Sequence, residues 1–468
     1  MTEVDPRYLS DASGFTGWAD RVLLPATEAE VTAILREAVA TRTPVTIAGA
    51  GTGLTGSRVP QGGWVLSLER FRRLDITAGS ARVGPAISLL ELRTAAATTG
   101  QFYAPDPTEI TASIGGSIAT NASGSHSFYY GSTRRHVRAL RVALLDGTVR
   151  EFRRGEQIDF DVPALPVPHT TKYTAGYRLR PGMEWVDLFC GSEGTLGVTL
   201  EAELALLPLP KDLLTGVIFF ASDDAALDAV EAWRSVPELR MLEYADSASL
   251  TMLRSRYPEI PRAAQAALLI EAEGDTQPGA ADAFLEAREQ RLAASGALLD
   301  ASWFALSASD RERFRKLRHA LPELVHETLE RRGYMKMGTD FAVPLERNRE
   351  MLAYYRTRLS AEFPGSYVIY GHIGDAHLHV NMLPANQDEV ERATGLLQDF
   401  ARKAVSLGGT VSAEHGLGKR KAGLLALQYS AEEIAAMQRV KQRFDPLGLL
   451  GRGTLFPVQD GQPLPAGN

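Results

Sequence analysis

The chain has 468 residues, too many for one ordinary core, and its 44% hydrophobic and 23% charged content is that of a globular protein of two or three domains. A net charge of −7 without a concentrated basic stretch excludes nucleic acid as the main partner, and a single cysteine, Cys190, excludes an internal disulfide and multi-cysteine metal sites. The acidic start lacks the build of a secretory signal, and no uncharged apolar run approaches the roughly 20 residues that span a bilayer. The expectation is a cytoplasmic protein with no transmembrane segment, at most peripheral to the inner face of the membrane.

Thr27-Glu28-Ala29-Glu30 reads as a capping box opening a helix with Val31, Ile34, Leu35, Ala38 and Val39 on one side. The helix stops before Pro44, and Val45 to Ala48 reads as a buried strand leading into Gly49-Ala50-Gly51-Thr52-Gly53-Leu54-Thr55-Gly56. Gly51, Gly53 and Gly56 make a formal G-x-G-x-x-G. A Rossmann fingerprint must open a helix, however, and the following stretch contains Pro60 and no helical period, so that reading is rejected. A row of small residues after a strand still presents backbone N–H groups as an anion nest suited to a pyrophosphate, with a plain turn as the alternative. Strands are expected at 64–68, 81–83 and 139–145, an irregular insert at 153–181, and a domain exit at 204–211. Three more loops rich in small polar residues, at 104–108, 114–131 and 190–198, suit close approach of backbone to a flat polar ligand. Together the four loops imply one large ligand wrapped by the N-terminal part.

From about residue 212 the pattern changes to helices at 225–235, 279–295, 309–331 and 387–406, alternating with strands at 214–220, 266–272, 338–343 and 366–382. That rhythm predicts an antiparallel sheet with helices on one face. A further helix is expected at 431–444 and a frayed tail at 459–468. Within 368–382, Gly374-Asp375 has the chemistry of a type II′ turn that pairs His372 with His377. His372, His377, His379 and Asn381 then share one face, while Ile373, Ala376, Leu378, Val380 and Met382 face the core. Converging imidazoles suit a divalent metal, and Glu414-His415 offers a carboxylate and a base. A hydrogen-bonded polar sheet face is the alternative.

In combination these segments resemble FAD-dependent 2-hydroxy-acid dehydrogenases of the vanillyl-alcohol-oxidase type, a group containing D-lactate dehydrogenases, the flavin-binding component of glycolate oxidase, and D-2-hydroxyglutarate dehydrogenases. The likeness runs from about Pro25 to Leu455. It implies an α+β fold with a two-subdomain PCMH-type FAD-binding domain at 1–208 and a cap domain at 209–410 whose antiparallel sheet is covered by helices. A C-terminal helical segment at 411–468 would carry Glu414 and His415 back to the FAD domain. By resemblance, Gly49, Ala50, Gly51, Thr52 and Gly53 form the pyrophosphate loop. Pro105, Asp106, Thr108, Gly115, Gly116, Asn121, Gly124 and Gly131 lie along the flavin, and Glu193, Gly194, Gly197 and Val198 close over it.

The metal-ligand positions of relatives match His372, His379 and Glu414, for zinc, with manganese or iron open. The base matches His415, the arginine that clamps the substrate carboxylate matches Arg318, and Asn381 would orient substrate or a ligand histidine. His377 stands where relatives often have Asn and falls outside the ligand set. The implied reaction oxidises a small D-2-hydroxy acid of the D-lactate or glycolate class to the 2-oxo acid, with hydride passing to N5 of non-covalent FAD. Electrons then leave to a quinone, cytochrome or partner subunit, and a homodimer is the commonest assembly. His126, His136 and His169 are candidates for covalent flavin attachment only by residue type. The C-terminus departs from the pattern at Gly451-Arg452-Gly453, where Arg452 is the replacement positive charge. Relatives that take a second carboxylate place a lysine just before the strand at Asp340. Here Gly338-Thr339 fills that place and Lys336 lies upstream, which favours a monocarboxylate over D-2-hydroxyglutarate. A flavin-free metallohydrolase or non-haem iron enzyme built on His372, His379 and Glu414 is the alternative of another class.

Overall fold

The computed structural model describes residues 4–210, 213–273, 294, 296–305 and 307–457. The tail expected at 459–468 and, apart from residue 294, the helix expected at 279–295 lie outside the described residues.

Thr27 accepts a hydrogen bond from the Glu30 backbone N–H at 3.2 Å, and the helix Glu28–Thr41 runs until Arg42 turns left-handed at φ 54°. Only half of the expected capping box forms, because the Glu30 carboxylate accepts from Ala26 N at 2.6 Å, one residue earlier than Thr27. Val31, Leu35 and Ala38 are fully buried against Val45, Trp64 and Leu66. The strands Arg21–Leu23 and Val45–Ala48 flank Trp64–Ser67 in a parallel three-stranded sheet. Residues 49–63 leave it without any helix, in keeping with the rejected Rossmann reading.

The second sheet is antiparallel and five-stranded, in the order Leu74–Thr77, Ser80–Val83, Val198–Ala205, Val137–Ala143, Val149–Arg153. The insert that follows has no helix or strand from 154 to 184, yet Lys172, Tyr173, Ala175, Tyr177 and Leu179 are buried in it.

The cap is an antiparallel seven-stranded sheet ordered Trp303–Phe304, Leu213–Phe220, Ala266–Glu273, Leu239–Asp246, Tyr367–His372, His377–Met382, Met337–Gly338. Helices cover both of its faces, not one. Ile218 and Phe220 pack toward the helices Asp223–Trp233 and Asn348–Glu362, while Val217 and Phe219 pack toward Ser247–Leu253 and Ala308–Arg332. Alternate residues of one strand are buried on opposite sides, which an uninterrupted apolar run such as Val217–Phe220 permits. The strand expected at 338–343 shortens to Met337–Gly338, because Asp340 leaves the ladder to receive donors from the C-terminal segment. Among the described residues no helix is long and apolar enough to cross a membrane.

A partly buried ionic chain joins the two halves. Arg93 meets Asp106 at 2.6 Å, His126 lies between Asp106 at 3.3 Å and Glu271 at 3.1 Å, and Arg240 reaches Glu271 at 3.4 Å. Burial alone would lower the His126 pKa, but Glu271 and Asp106 outweigh it and raise it to about 9. A proton held more tightly in the folded state stabilises it fully below the unfolded value near pH 6.5, and that contribution is lost as pH rises through about 9. The melting temperature is therefore expected to fall between these limits, and His126→Gln to flatten the fall when both are followed by scanning fluorimetry. An unchanged profile in the variant would remove this role.

Candidate active site

The hairpin keeps the expected register, with His372 opposite His377 and Tyr370 opposite His379. Its turn differs from the type II′ form: Ile373–Asp375 makes a 3-10 turn, and the left-handed residue is Ala376 at φ 50°, not Gly374. The turn is tucked inward because Asp375 accepts from Ser127 Oγ at 2.9 Å and Thr171 Oγ1 at 2.6 Å. Gly371, at φ 126°, is required here, since a Cβ on it would stand 2.8 Å from Cδ2 of His379.

The C-terminal segment supplies the remaining groups. Asp340, fully buried, accepts from Ser412 Oγ at 2.8 Å, His415 N at 3.0 Å and Glu414 N at 3.3 Å, which turns both side chains toward the hairpin. Its oxygen also lies 3.3 Å from His415 Nδ1 and 3.2 Å from His377 Nε2. Burial opposes its charge, but the two histidines hold its pKa well below the usual carboxylate range. His379 and His415 stack at 5.7 Å between centroids.

One donor atom from each of His372, His377, His379 and Glu414 falls within 4.8 Å of the others. His379 Nδ1 is 3.3 Å from the Thr339 carbonyl, which assigns that nitrogen as the donor and leaves Nε2 for the cluster. Glu243 meets His372 Nδ1 at 2.6 Å, and Glu414 Oε2 lies 3.3 Å from His372 Nε2. Burial would lower the His372 pKa, yet these carboxylates push it up to about 9, so the site favours positive charge. His379 is driven well below its ordinary value by burial and the neighbouring imidazoles, and burial pushes His415 down to about 4 against the pull of Asp340. Arg318 donates Nε to Glu243 at 3.1 Å.

A cavity of about 800 Å³ runs from the glycine loop to this cluster, within the range of cofactor sites. Gly49, Ala50, Gly51, Thr52, Gly53, Thr108, Gly115, Gly116, Glu193, Gly194 and Gly197 line it, as do Arg318, His372, His379, Glu414 and His415. Six expected cofactor residues stand behind the wall. Pro105 accepts Arg93 Nη2 at 2.7 Å, Asp106 belongs to the ionic chain, and Asn121 Oδ1 accepts Arg134 N at 2.9 Å. A Cβ on Gly124 would strike the Asp106 carbonyl, Gly131 turns over Arg135, and Val198 is fully buried in the sheet core. Asn381 is fully buried beyond His379, with both amide atoms unpaired, and does not line the cavity. His126, His136, His169 and Arg452 are also absent from its lining, although Gly451 is present. Glu193, strained at φ 52°, spends both oxygens on protein donors: Leu417 N and Gly418 N at 2.9 Å each and Ser57 Oγ at 2.6 Å.

Sequence reasoning missed Glu243, the anchoring role of Asp340 and the buried Lys172. A carboxylate within the wholly buried strand Leu239–Asp246 is the signal that Glu243 needs a partner. Lys172, inside an irregular insert, gives no such signal.

The glycine-lined groove and the histidine–glutamate cluster thus share one cavity in an α+β fold, and the class of the protein follows from the proteins it resembles. Residues 19–153 match the "FAD binding domain" model and 209–455 match "FAD linked oxidases, C-terminal domain". The chain is 31% identical to glycolate oxidase subunit GlcD of Bacillus subtilis, over 96% of this chain and 92% of the relative. It is 31% identical to D-2-hydroxyglutarate dehydrogenase of Xanthomonas citri pv. viticola, over 95% of this chain and 91% of the relative. Alkyldihydroxyacetonephosphate synthase has the same fold, with a TM-score of 0.65 at 16% identity over 92% of this chain and 75% of that one. The chain belongs to the PCMH-type FAD-linked oxidase family and is an FAD-binding enzyme.

Replacing Gly371 by Ala should displace the His379 ring and destabilise the fold by about 1–3 kcal/mol. Denaturant unfolding together with a structure of the variant checks this, and an unmoved ring would show that the space is larger than the geometry implies.

Proposed function

We propose that the enzyme oxidises a small D-2-hydroxy acid of the glycolate or D-lactate class to the 2-oxo acid. What carries this reading is that His372, His379, Glu414, Arg318 and His415 meet on the wall of the same cavity as the Gly49–Gly53 loop. Two imidazoles and one carboxylate suit a divalent cation such as zinc, with His372, His379 and Glu414 as its holders. When bound, FAD supplies a hydride acceptor and the cation a Lewis acid.

The protein's own groups do the rest. Arg318 has no protein acceptor for its Nη groups among the described residues and offers a planar fork to the substrate carboxylate. Asp340 fixes His415 through Nδ1, leaving Nε2 to take the hydroxyl proton as the α-hydrogen departs with its electron pair. None of His126, His136 and His169 reaches the cavity lining, which supports non-covalent FAD.

Purified protein should be yellow and bleach anaerobically with one of glycolate, D-lactate or D-2-hydroxyglutarate. His415→Asn should keep FAD while reduction slows by about 10²–10⁴. Unchanged reduction would exclude His415 as the base. Chelation should abolish substrate bleaching without releasing FAD, whereas a colourless protein with chelator-sensitive hydrolysis would favour the flavin-free metalloenzyme.

Lys336 supports a second substrate within this class. It lines the cavity, and its Cε lies 3.2 Å from where a Cβ on Gly338 would stand, so its side chain runs back across the position that the sequence leaves without a lysine. A cation there fits the second carboxylate of D-2-hydroxyglutarate, the acid named for the Xanthomonas relative. Lys336→Met should lower kcat/KM for that acid at least about tenfold and leave D-lactate within about twofold. Equal effects on both acids would dismiss the second reading.

A further inference from the structure

Lys172 is 1% exposed, and its ammonium sits among three acceptors drawn from distant parts of the chain. Glu414 Oε1 is 2.6 Å away, the Gly124 carbonyl 3.0 Å and Asp375 Oδ2 3.2 Å. The ammonium donates hydrogen bonds to Glu414 and Gly124 and forms an ion pair with Asp375, so its charge is matched on every side. Two of the acceptors are themselves held: Glu414 Oε1 by Ser123 Oγ at 3.0 Å, and Asp375 by Ser127 and Thr171. A buried cation is tolerated only when paired in this way, so the arrangement fixes all of its members.

The consequence falls on Glu414. With Oε1 occupied by Lys172 and Ser123, only Oε2 faces the imidazoles, 3.3 Å from His372 Nε2. Free rotation of the carboxylate would require breaking both contacts. Gly124 closes the 114–124 segment, whose Gly115 and Gly116 line the cavity, so the same ammonium ties the cluster to the cofactor half. Lys172 does not itself line the cavity.

We propose that Lys172 is a positioning residue for the metal centre, presenting Glu414 through a single oxygen to the cation held with His372 and His379, so that metal retention depends on the ammonium at 172. This rests on the metal-centre reading above and extends it to a residue that touches neither substrate nor cofactor.

The test uses full-length wild type, Lys172→Met, Lys172→Arg and Lys172→Ala, loaded with FAD and Zn²⁺. Each is dialysed against a graded competing chelator, then measured for zinc by atomic emission, FAD by absorbance and folding by circular dichroism. Wild type should hold zinc stoichiometrically. Lys172→Met should keep FAD and its spectrum while zinc affinity falls by about 10–100-fold. Lys172→Ala should regain zinc when propylammonium is supplied in the buffer. Equal zinc retention by wild type and Lys172→Met overturns the proposal, and so does parallel loss of zinc, FAD and structure that neither Lys172→Arg nor propylammonium restores. Wild type that binds none of Zn²⁺, Mn²⁺ and Fe²⁺, each offered in the same way, overturns the metal-centre reading and this one with it. Loaded wild type beside an equally loaded variant overturns this one alone.

Discussion

Two backbone N–H groups, those of Glu414 and His415, point at one buried carboxylate, and the site depends on that contact. Asp340 belongs to the cap, while the residues it receives lie more than seventy positions downstream. Removing the buried acceptor at Asp340 would leave the backbone N–H groups of Glu414 and His415 without their partner and loosen the segment that brings a carboxylate and an imidazole to His372 and His379. One Asp340 oxygen also lies 3.3 Å from His415 Nδ1, so one carboxylate both docks the segment and faces the ring it delivers.

Buried charges are costly singly and become tolerable in alternation. Lys172 lies against Glu414 and Asp375, His372 between Glu243 and Glu414, and Arg318 against Glu243. The ionic chain Arg93, Asp106, His126, Glu271 and Arg240 repeats this alternation where the halves meet. The result is a rigid polar seam between two apolar bodies, with the catalytic candidates at one end of it.

Local chemistry was readable wherever it is governed by period and caps. The helices Gln387–Ser406 and Ala431–Phe444 end where their patterns end, and period-two alternation was enough to align three histidines with Asn381. The turn type, the two-faced cap and the shortened strand at Met337–Gly338 were not readable, because each is decided by partners far along the chain. Asp375 tucks its turn under Thr171 and Ser127, and Asp340 abandons a ladder for backbone donors of another segment. The glycine loops foretold which segments would line the cavity. They could not distinguish glycines that line the groove, such as Gly51, from those that let one loop rest on another, such as Gly124.

Glu193 clasps the amides of Leu417 and Gly418, and Val45 exchanges backbone hydrogen bonds with Leu449 and Gly451. The groove begun by the strand Val45–Ala48 and its glycine loop is thus finished by the segments around Leu417 and Gly451. A chain cut between the cap and residue 412 would lack both the clasp on Glu193 and the imidazole of His415, so the glycine loop alone makes only part of the groove.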